Sequence, residues 1–434
     1  MSVGVSTVGI SSTGNASSVR WKLFLLMLLL YAVNYIDRAS LSIAMPLMSK
    51  EFDLDPALQG LILSAFFWTY TAVQVPGGIL VDRYKPRIVI TVATVGWGVF
   101  QALAAITTNS WGLLLTRLGL GAFEAPIGPA CGKLNAIWMP QNERGRGAVL
   151  FNSGAALGAA LGAIIVAWLI TSLGSWRAAF LVAGVGTVLC GWWSWYYLRN
   201  SPRQHPSVNE AEARHIEQGH ALEDAAAPTT ARGNWTAFFR YRSVWCMCLG
   251  WMAYNTVFYG LLTWLPNYLS KVHGIDIKTL GGASFVIFFT GFLGQLTGGW
   301  IADFWNSRSG RPNIVYRTLF GISAVIATVS LFCVAYTSDL VTVVALLSTT
   351  MFFLTWCGMY WVVPSFLAGR DRAGLLGGYM NLFGNIAGIA VPLIVGLIVQ
   401  LTASYFFALM FFAAAGATLF VCSTSIDYSR RLPV

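Results

Sequence analysis

Apolar runs long enough to cross a bilayer recur along the chain, separated by short polar connections. A helix rising about 1.5 Å per residue needs roughly 20 apolar residues to cross about 30 Å of hydrocarbon. Stretches of that kind run 21–45, 57–81, 88–107, 111–134, 148–172 and 177–198. After a polar interval come 244–269, 280–302, 315–336, 340–366, 374–401 and 404–426. The pattern predicts an all-α polytopic membrane protein, with twelve transmembrane helices in two six-helix bundles.

The connections set an orientation. Exits from odd-numbered spans are poor in Lys and Arg, as at Asp53 and Asp55, at 107–110 and at 337–339. Exits from even-numbered spans are rich in them: Arg83, Lys85 and Arg87, then Lys133, Arg144 and Arg146, then Arg308, Arg311 and Arg317, then Arg370 and Arg372. Positive charge stays on the cytoplasmic side, so both termini are expected there. The expected organisation is a disordered cytoplasmic tail (1–19), a first bundle (20–198), a cytoplasmic linker (199–242), a second bundle (243–427) and a short cytoplasmic tail (428–434). Within the linker, Glu210 to Gly219 reads as a short surface helix. His205, His215 and His220 lie there without acidic or Cys partners at ligand spacing, and read as solvated.

Composition agrees with the pattern. Of 434 residues 56% are hydrophobic and only 10% charged, where a soluble chain carries about 25% charged residues. The net charge of +10 is spread over short connections, a topological pattern that argues against a nucleic-acid partner. Seven cysteines without CxxC spacing and four histidines exclude a disulfide framework and a zinc site. With no HExxH, nucleophile elbow or clustered His/Cys set, neither an enzyme nor a metal or other cofactor is expected.

Charge inside the oily runs changes the picture most. Asn34-Tyr35-Ile36-Asp37-Arg38 interrupts the first span at bilayer depth, where one ionised side chain costs on the order of 3 kcal/mol. Helical spacing puts Asn34, Tyr35 and Arg38 on one stripe and Asp37 about 100° around. The fourth span carries Arg117 and Glu124 on one face, two turns or about 10 Å apart, too far for direct pairing. Each needs a partner elsewhere, and Asp37 is the candidate for Arg117.

Two readings stand for these groups. Either they are permanent ion pairs stapling helices, or they serve transport. A proton-coupled carrier needs carboxylates whose ionisation responds to burial and to a nearby arginine, a demand that Asp37 and Glu124 meet. An anionic substrate needs a cation that keeps its proton and offers two parallel N–H groups. Arg38 is the candidate for that contact, with Arg117 relaying protonation to it. Tyr35, Tyr70, Asn255, Tyr259 and Asn385 could line a polyol pocket, or simply make interhelical hydrogen bonds. Trp264-Leu265-Pro266 and Trp361-Val362-Val363-Pro364 are expected to interrupt the seventh and tenth spans. Gly154, Gly158 and Gly162 suit either sliding or plain close packing.

The halves also echo each other. Gly77-Gly78-Ile79-Leu80-Val81-Asp82-Arg83 closes the second span, and Gly298-Gly299-Trp300-Ile301-Ala302-Asp303 closes the eighth. With the six-plus-six layout, the run Gly78-x-x-x-Asp82-Arg83-x-x-x-Arg87 resembles the loop between the second and third helices of the major facilitator superfamily. Lys85 stands where that loop usually has glycine. The resemblance implies gating roles for Gly78, Asp82, Arg83, Arg87 and Asp303, with Asp82 and Arg83 latching the cytoplasmic side by charge and helix-end contacts with the neighbouring bundle; a purely topological role for Arg83 competes with this.

Further stretches are similar to the anion:cation symporter family: Asn34 to Ala39, Arg117-x-x-x-Gly121-x-x-Glu124-Ala125-Pro126, Trp138-x-Pro140 with Glu143-Arg144, Phe151 to Gly154, and Tyr259 to Pro266. Ala155 departs from the glutamine of several hexonate and hexarate permeases. This likeness implies a monomeric carrier of the bacterial inner membrane, moving a small organic anion such as a hexonate, hexarate or hexuronate inward with protons. The alternatives are another carboxylate, aromatic or short and doubly charged, or a drug/proton antiporter of the same fold, against which Arg38 and Arg117 argue.

Overall fold

The computed structural model describes residues 16–140, 143–226 and 235–432. Most of the tail expected over 1–19 lies outside them, as does the end of the tail expected over 428–434. The described chain is helical, with no strand among the described residues. In the first half the helices are α1 (Val19–Glu51), α2 (Pro56–Tyr84), α3 (Pro86–Leu103), α4 (Ser110–Glu124), α5 (Ile127–Trp138), α6 (Arg144–Leu173) and α7 (Trp176–Tyr197). The connecting helix α8 (Glu210–Ala226) follows. The second half holds α9 (Arg242–His273), α10 (Ile277–Ser309), α11 (Pro312–Ala335), α12 (Leu340–Leu354), α13 (Val363–Thr402) and α14 (Phe406–Ser425).

Ten segments among the described residues are long and apolar enough to cross a membrane. The other two expected spans have local reasons to fall short. The fourth is divided into α4 and α5 at Ala125-Pro126, since proline has no N–H to continue the ladder. The seventh, α9, carries Asn255, Thr256, Thr263 and Asn267, which dilute its hydropathy. The tenth span changes to a 3₁₀ turn over Thr355–Val362 just before Pro364, as expected. Pro266, by contrast, sits inside an uninterrupted α9, so the break expected there is absent.

Packing repeats between the halves. In the first, α1 lies on α6, α2 on α4, and α3 on α7; in the second, α9 lies on α13, α10 on α12, and α11 on α14. The main seams between halves obey the same repeat: α1 meets its counterpart α9, while the contacts of α2 with α13 and of α6 with α10 are each other's counterparts. The glycine stripe of α6 serves the first half internally. A Cβ at Gly158 would fall 2.2 Å from the Ala32 carbonyl oxygen, so α1 and α6 touch backbone to backbone there.

The halves meet tightly at the end opposite the chain termini. Asn267 Nδ2 donates to Gln59 Oε1 at 2.5 Å, and the Ala57 amide donates to Gln400 Oε1 at 3.1 Å. A Cβ at Gly60 would lie 2.4 Å from the Pro392 carbonyl oxygen, which leaves no space for any other residue.

The connection between halves departs from a plain linker. Helix α8 runs to Ala226, longer than the expected Glu210 to Gly219, and buries Ala213 and Ile216. His205 is buried between the rings of Trp138 and Tyr197, at 5.9 and 5.1 Å, so the solvated state expected of it is wrong: two aromatic faces replace water. His215 Nε2 lies 3.1 Å from Glu143 and His220 Nε2 lies 3.3 Å from the Met139 carbonyl, so these two also have protein partners.

Candidate functional site

The successive residues Asp37 and Arg38 face different neighbours because each helical step turns about 100°. Arg38 points toward α2 and α4. Its Nε donates to Glu124 Oε2 at 2.8 Å, with the two side chains 7% and 0% exposed. Rings of Tyr35, Phe66 and Tyr70 surround its guanidinium with centroids 4.7, 4.5 and 4.8 Å away. The two terminal nitrogens of Arg38 make no hydrogen bond among the described residues. Asn34 lies beside the Glu124 carboxylate, whose Oε1 accepts no hydrogen bond.

Asp37 points the other way, toward α3 and α7. Its Oδ2 accepts from Trp97 Nε1 at 3.1 Å and Thr187 Oγ1 at 2.8 Å, while Oδ1 has no donor. Arg117 reaches the Asp37 backbone carbonyl at 3.4 Å and Gln101 Oε1 at 3.1 Å, and its Nε has no acceptor. Gln101 in turn donates to Ser40 at 2.7 Å. The expected pairing of Arg117 with the Asp37 carboxylate is therefore not formed. Trp97 and Thr187 hold that carboxylate on the far side of α1, leaving only the main chain for the arginine. Trp97, Gln101 and Thr187 were missed in the sequence; two polar residues inside apolar spans were the available signal.

The two halves differ in kind. Among the described residues, the carboxylates and guanidiniums buried near the middle of the spans (Asp37, Arg38, Arg117 and Glu124) all belong to the first half. The second half offers neutral groups instead, among them Asn255, Thr256, Thr263 and Asn385.

The sequence model of the Major Facilitator Superfamily matches residues 27–392. This chain belongs to the major facilitator superfamily. It is 32% identical over 419 residues to a probable galactarate/D-glucarate transporter, GudP, of Bacillus subtilis strain 168, covering 93% of this chain and 91% of that one. It is 30% identical over 395 residues to a D-galactonate transporter of Escherichia coli O6:H1, covering 88% and 89%. Among solved structures it is similar to a bacterial homologue of the human lysosomal transporter Spinster in an inward-facing, unoccupied conformation. The TM-score is 0.77 at 19% identity, covering 97% of this chain and 100% of that one, a likeness of fold.

Within this facilitator fold the polar candidates fall along the seam. The rings of Tyr259 on α9 and Phe67 on α2 lie 4.7 Å apart across the halves. Asn385 Nδ2 on α13 donates to Gln74 Oε1 on α2 at 2.8 Å, a cross-half bond with a partner not foreseen. Tyr70 stacks on Phe66 at 5.3 Å beside Arg38. Asn255 spends its amide donor on the Trp251 carbonyl of its own helix, at 2.8 Å.

The facilitator loop residues stay within the first half. Asp82 pairs with Lys133 at 2.8 Å, both exposed. Arg83 lies 5.5 Å from the Tyr84 ring. Arg87 donates to the Trp195 carbonyl at 3.0 and 2.7 Å and stacks on its ring at 4.0 Å. Asp303 is exposed at the end of α10, and Gly78 has room for a side chain, with Pro129 3.9 Å from a built Cβ. Among the described residues, the contacts expected of Asp82 and Arg83 with the neighbouring bundle are not made: Asp82 meets Lys133 of α5 within its own half instead. Lys85 adopts φ +71° and ψ 147°, a region that a side chain penalises by about 1–3 kcal/mol.

Proposed function

We propose that the protein is a secondary transporter carrying a sugar acid, of the hexonate, hexarate or hexuronate class, together with protons by alternating access. One observation carries the reading: Arg38 holds Glu124 through Nε alone and keeps both terminal nitrogens unbonded inside an aromatic collar. A free guanidinium end is the geometry that takes a carboxylate with two parallel bonds. Aromatic faces beside it suit the carbon skeleton of a polyol. Tyr259 and Asn385 from the second half would meet its hydroxyls, with Asn255 and Tyr70 at the edges.

Coupling follows from charge. With Glu124 ionised, Arg38 is already neutralised and an incoming anion must compete for it. Protonating Glu124 releases Arg38 to the substrate, so proton and anion bind together. Asp37, with one oxygen unbonded, is the second proton site. Arg117, between Gln101 and the Asp37 main chain, carries the electrostatic link from that site toward Glu124. Alternation would swing the bundles 20–198 and 243–427 about the seam, with Gly78, Asp82, Arg83, Arg87 and Asp303 controlling the termini-bearing end. The basic connections support a cytoplasmic position for that end, and the reading includes a bacterial inner membrane and a monomeric carrier. Two buried arginines make a drug/proton antiporter the poorer reading.

Reconstituted protein with a proton gradient, acid outside, should accumulate labelled galactarate, glucarate, galactonate or glucuronate above equilibrium. Asp37→Asn and Glu124→Gln should abolish accumulation while at least one keeps downhill counterflow. Accumulation persisting in both variants would overturn the coupling assignment.

A further inference from the structure

Helix α1, which carries Asp37 and Arg38, starts at Val19 without a capping side chain of its own, since Ser18 accepts nothing from the first turn. The first four amides of any helix lack partners within it. Here Glu212 of α8 supplies a partner for two of them, those of Val19 and Arg20, from more than 190 residues away. Its Oε2 accepts from the Val19 amide at 3.1 Å and the Ser17 hydroxyl at 2.5 Å. Its Oε1 accepts from the Arg20 amide at 3.1 Å and Arg20 Nη1 at 2.9 Å. Every one of these donors is satisfied by one carboxylate whose side chain is fully buried. The negative charge also sits where the helix dipole is positive.

The contact continues outward. Arg20 Nε donates to Glu143 at 2.8 Å, at the start of α6, and His215 of α8 reaches the same carboxylate. A built Cβ at Gly219 would lie 2.4 Å from the Pro140 ring, so α8 is pressed against the α5–α6 connection as well. A surface helix that only joined two bundles would need neither a buried carboxylate nor this fit.

We propose that Glu212 is a positioning residue for transport: acting from α8 as a detached N-cap, it fixes the start of α1 and so holds Asp37 and Arg38 in register with their partners. The transport part rests on the function proposed above. Arg38 stands about 27 Å along the same rigid helix from Arg20, so a sliding or rotation of the helix start is carried along to Arg38.

The test uses full-length protein in three forms: Glu212→Ala, Glu212→Gln, and Glu212→Ala combined with Ser18→Asp, which returns a carboxylate to the helix start locally. Amide exchange in the first turn of α1 should speed up about ten-fold in Glu212→Ala, the scale of a lost cap, and less in Glu212→Gln, which keeps an acceptor. Proton-driven accumulation should fall at least three-fold in Glu212→Ala, with KM for the sugar acid raised as Arg38 leaves its register, and Ser18→Asp should restore amide protection, accumulation and KM together. Normal accumulation in Glu212→Ala overturns the positioning role. So does accumulation that stays low after Ser18→Asp has restored amide protection, because the capping bond would then not be what transport needs. If the unaltered protein moves no sugar acid, the transport reading itself fails, while unchanged first-turn exchange in Glu212→Ala separately refutes the cap.

Discussion

Replacing Glu124 by glutamine should make the protein bind sugar acid more tightly while destroying its ability to concentrate it. Arg38 and Glu124 approach to 2.8 Å with side chains 7% and 0% exposed. At an effective dielectric of 20, opposite charges about 4 Å apart attract by about 4 kcal/mol. Removing one partner of a buried pair costs about 3–5 kcal/mol, largely from the charge left behind. In Glu124→Gln the unpaired Arg38 destabilises the empty protein, and an arriving carboxylate supplies the missing counter-charge. In the unaltered protein at neutral pH, that carboxylate must first displace one already in place. A difference of about 3 kcal/mol corresponds to a dissociation constant roughly a hundred-fold lower in the variant. Calorimetry on purified protein, with thermal unfolding measured with and without sugar acid, checks both halves of this expectation. The variant should start with a lower Tm and gain more from ligand, and its affinity should lose the pH dependence that Glu124 supplies. Equal ligand-induced gains in the two proteins would refute the reasoning, since Glu124 would then not compete for Arg38.

Other outcomes follow from the same geometry. Thr187→Val should leave Asp37 with Trp97 as its only side-chain donor, and shift the pH midpoint of proton-driven uptake upward because the ionised form loses a hydrogen bond; a pH profile in proteoliposomes reads this. Gly60→Leu should pry open the end opposite the termini, so that a disulfide between cysteines placed at Ala57 and Gln400 forms readily in the otherwise unaltered protein and poorly in the variant. Lys85→Gly should raise unfolding stability by about 1 kcal/mol, by relieving the positive φ, and a thermal melt measures it. Burial tends to raise the Glu143 carboxyl, but its bonds to Arg20 and His215 outweigh that and hold it below the ordinary value of 4.5. Its stabilising contribution is thus complete above about pH 4.5 and lost as pH falls through the lower native value. Glu143→Gln should accordingly flatten the acid limb of a stability–pH curve.

The spans were legible because crossing hydrocarbon imposes a length that no local accident imitates. The divergence of Asp37 from Arg38 by about 100° was legible too, since the helical turn dictates it. Partner choice was not. Spacing on α4 says that Arg117 and Glu124 each need something, yet which helix lies opposite at that depth depends on how α1, α3 and α7 stack. Trp97 and Thr187 looked like ordinary residues of apolar runs until the fold brought both to Asp37. His205 and Glu212 misled for a related reason: polar composition suggested solvent, and only tertiary packing against Trp138 and the start of α1 removed it. The loop after α2 shows the converse, where a motif predicts which residues matter but not the state in which they touch.

The confinement of mid-span carboxylates and guanidiniums to one half, among the described residues, has an evolutionary corollary. Under the proposed function the proton sites and the carboxylate contact sit on the first half while hydroxyl contacts come from the second, so the neutral face of α9 and α13 can drift toward a new polyol pattern without disturbing the proton sites. Chimeras that graft that face from a relative with another substrate should inherit the donor's diet and keep the recipient's engine.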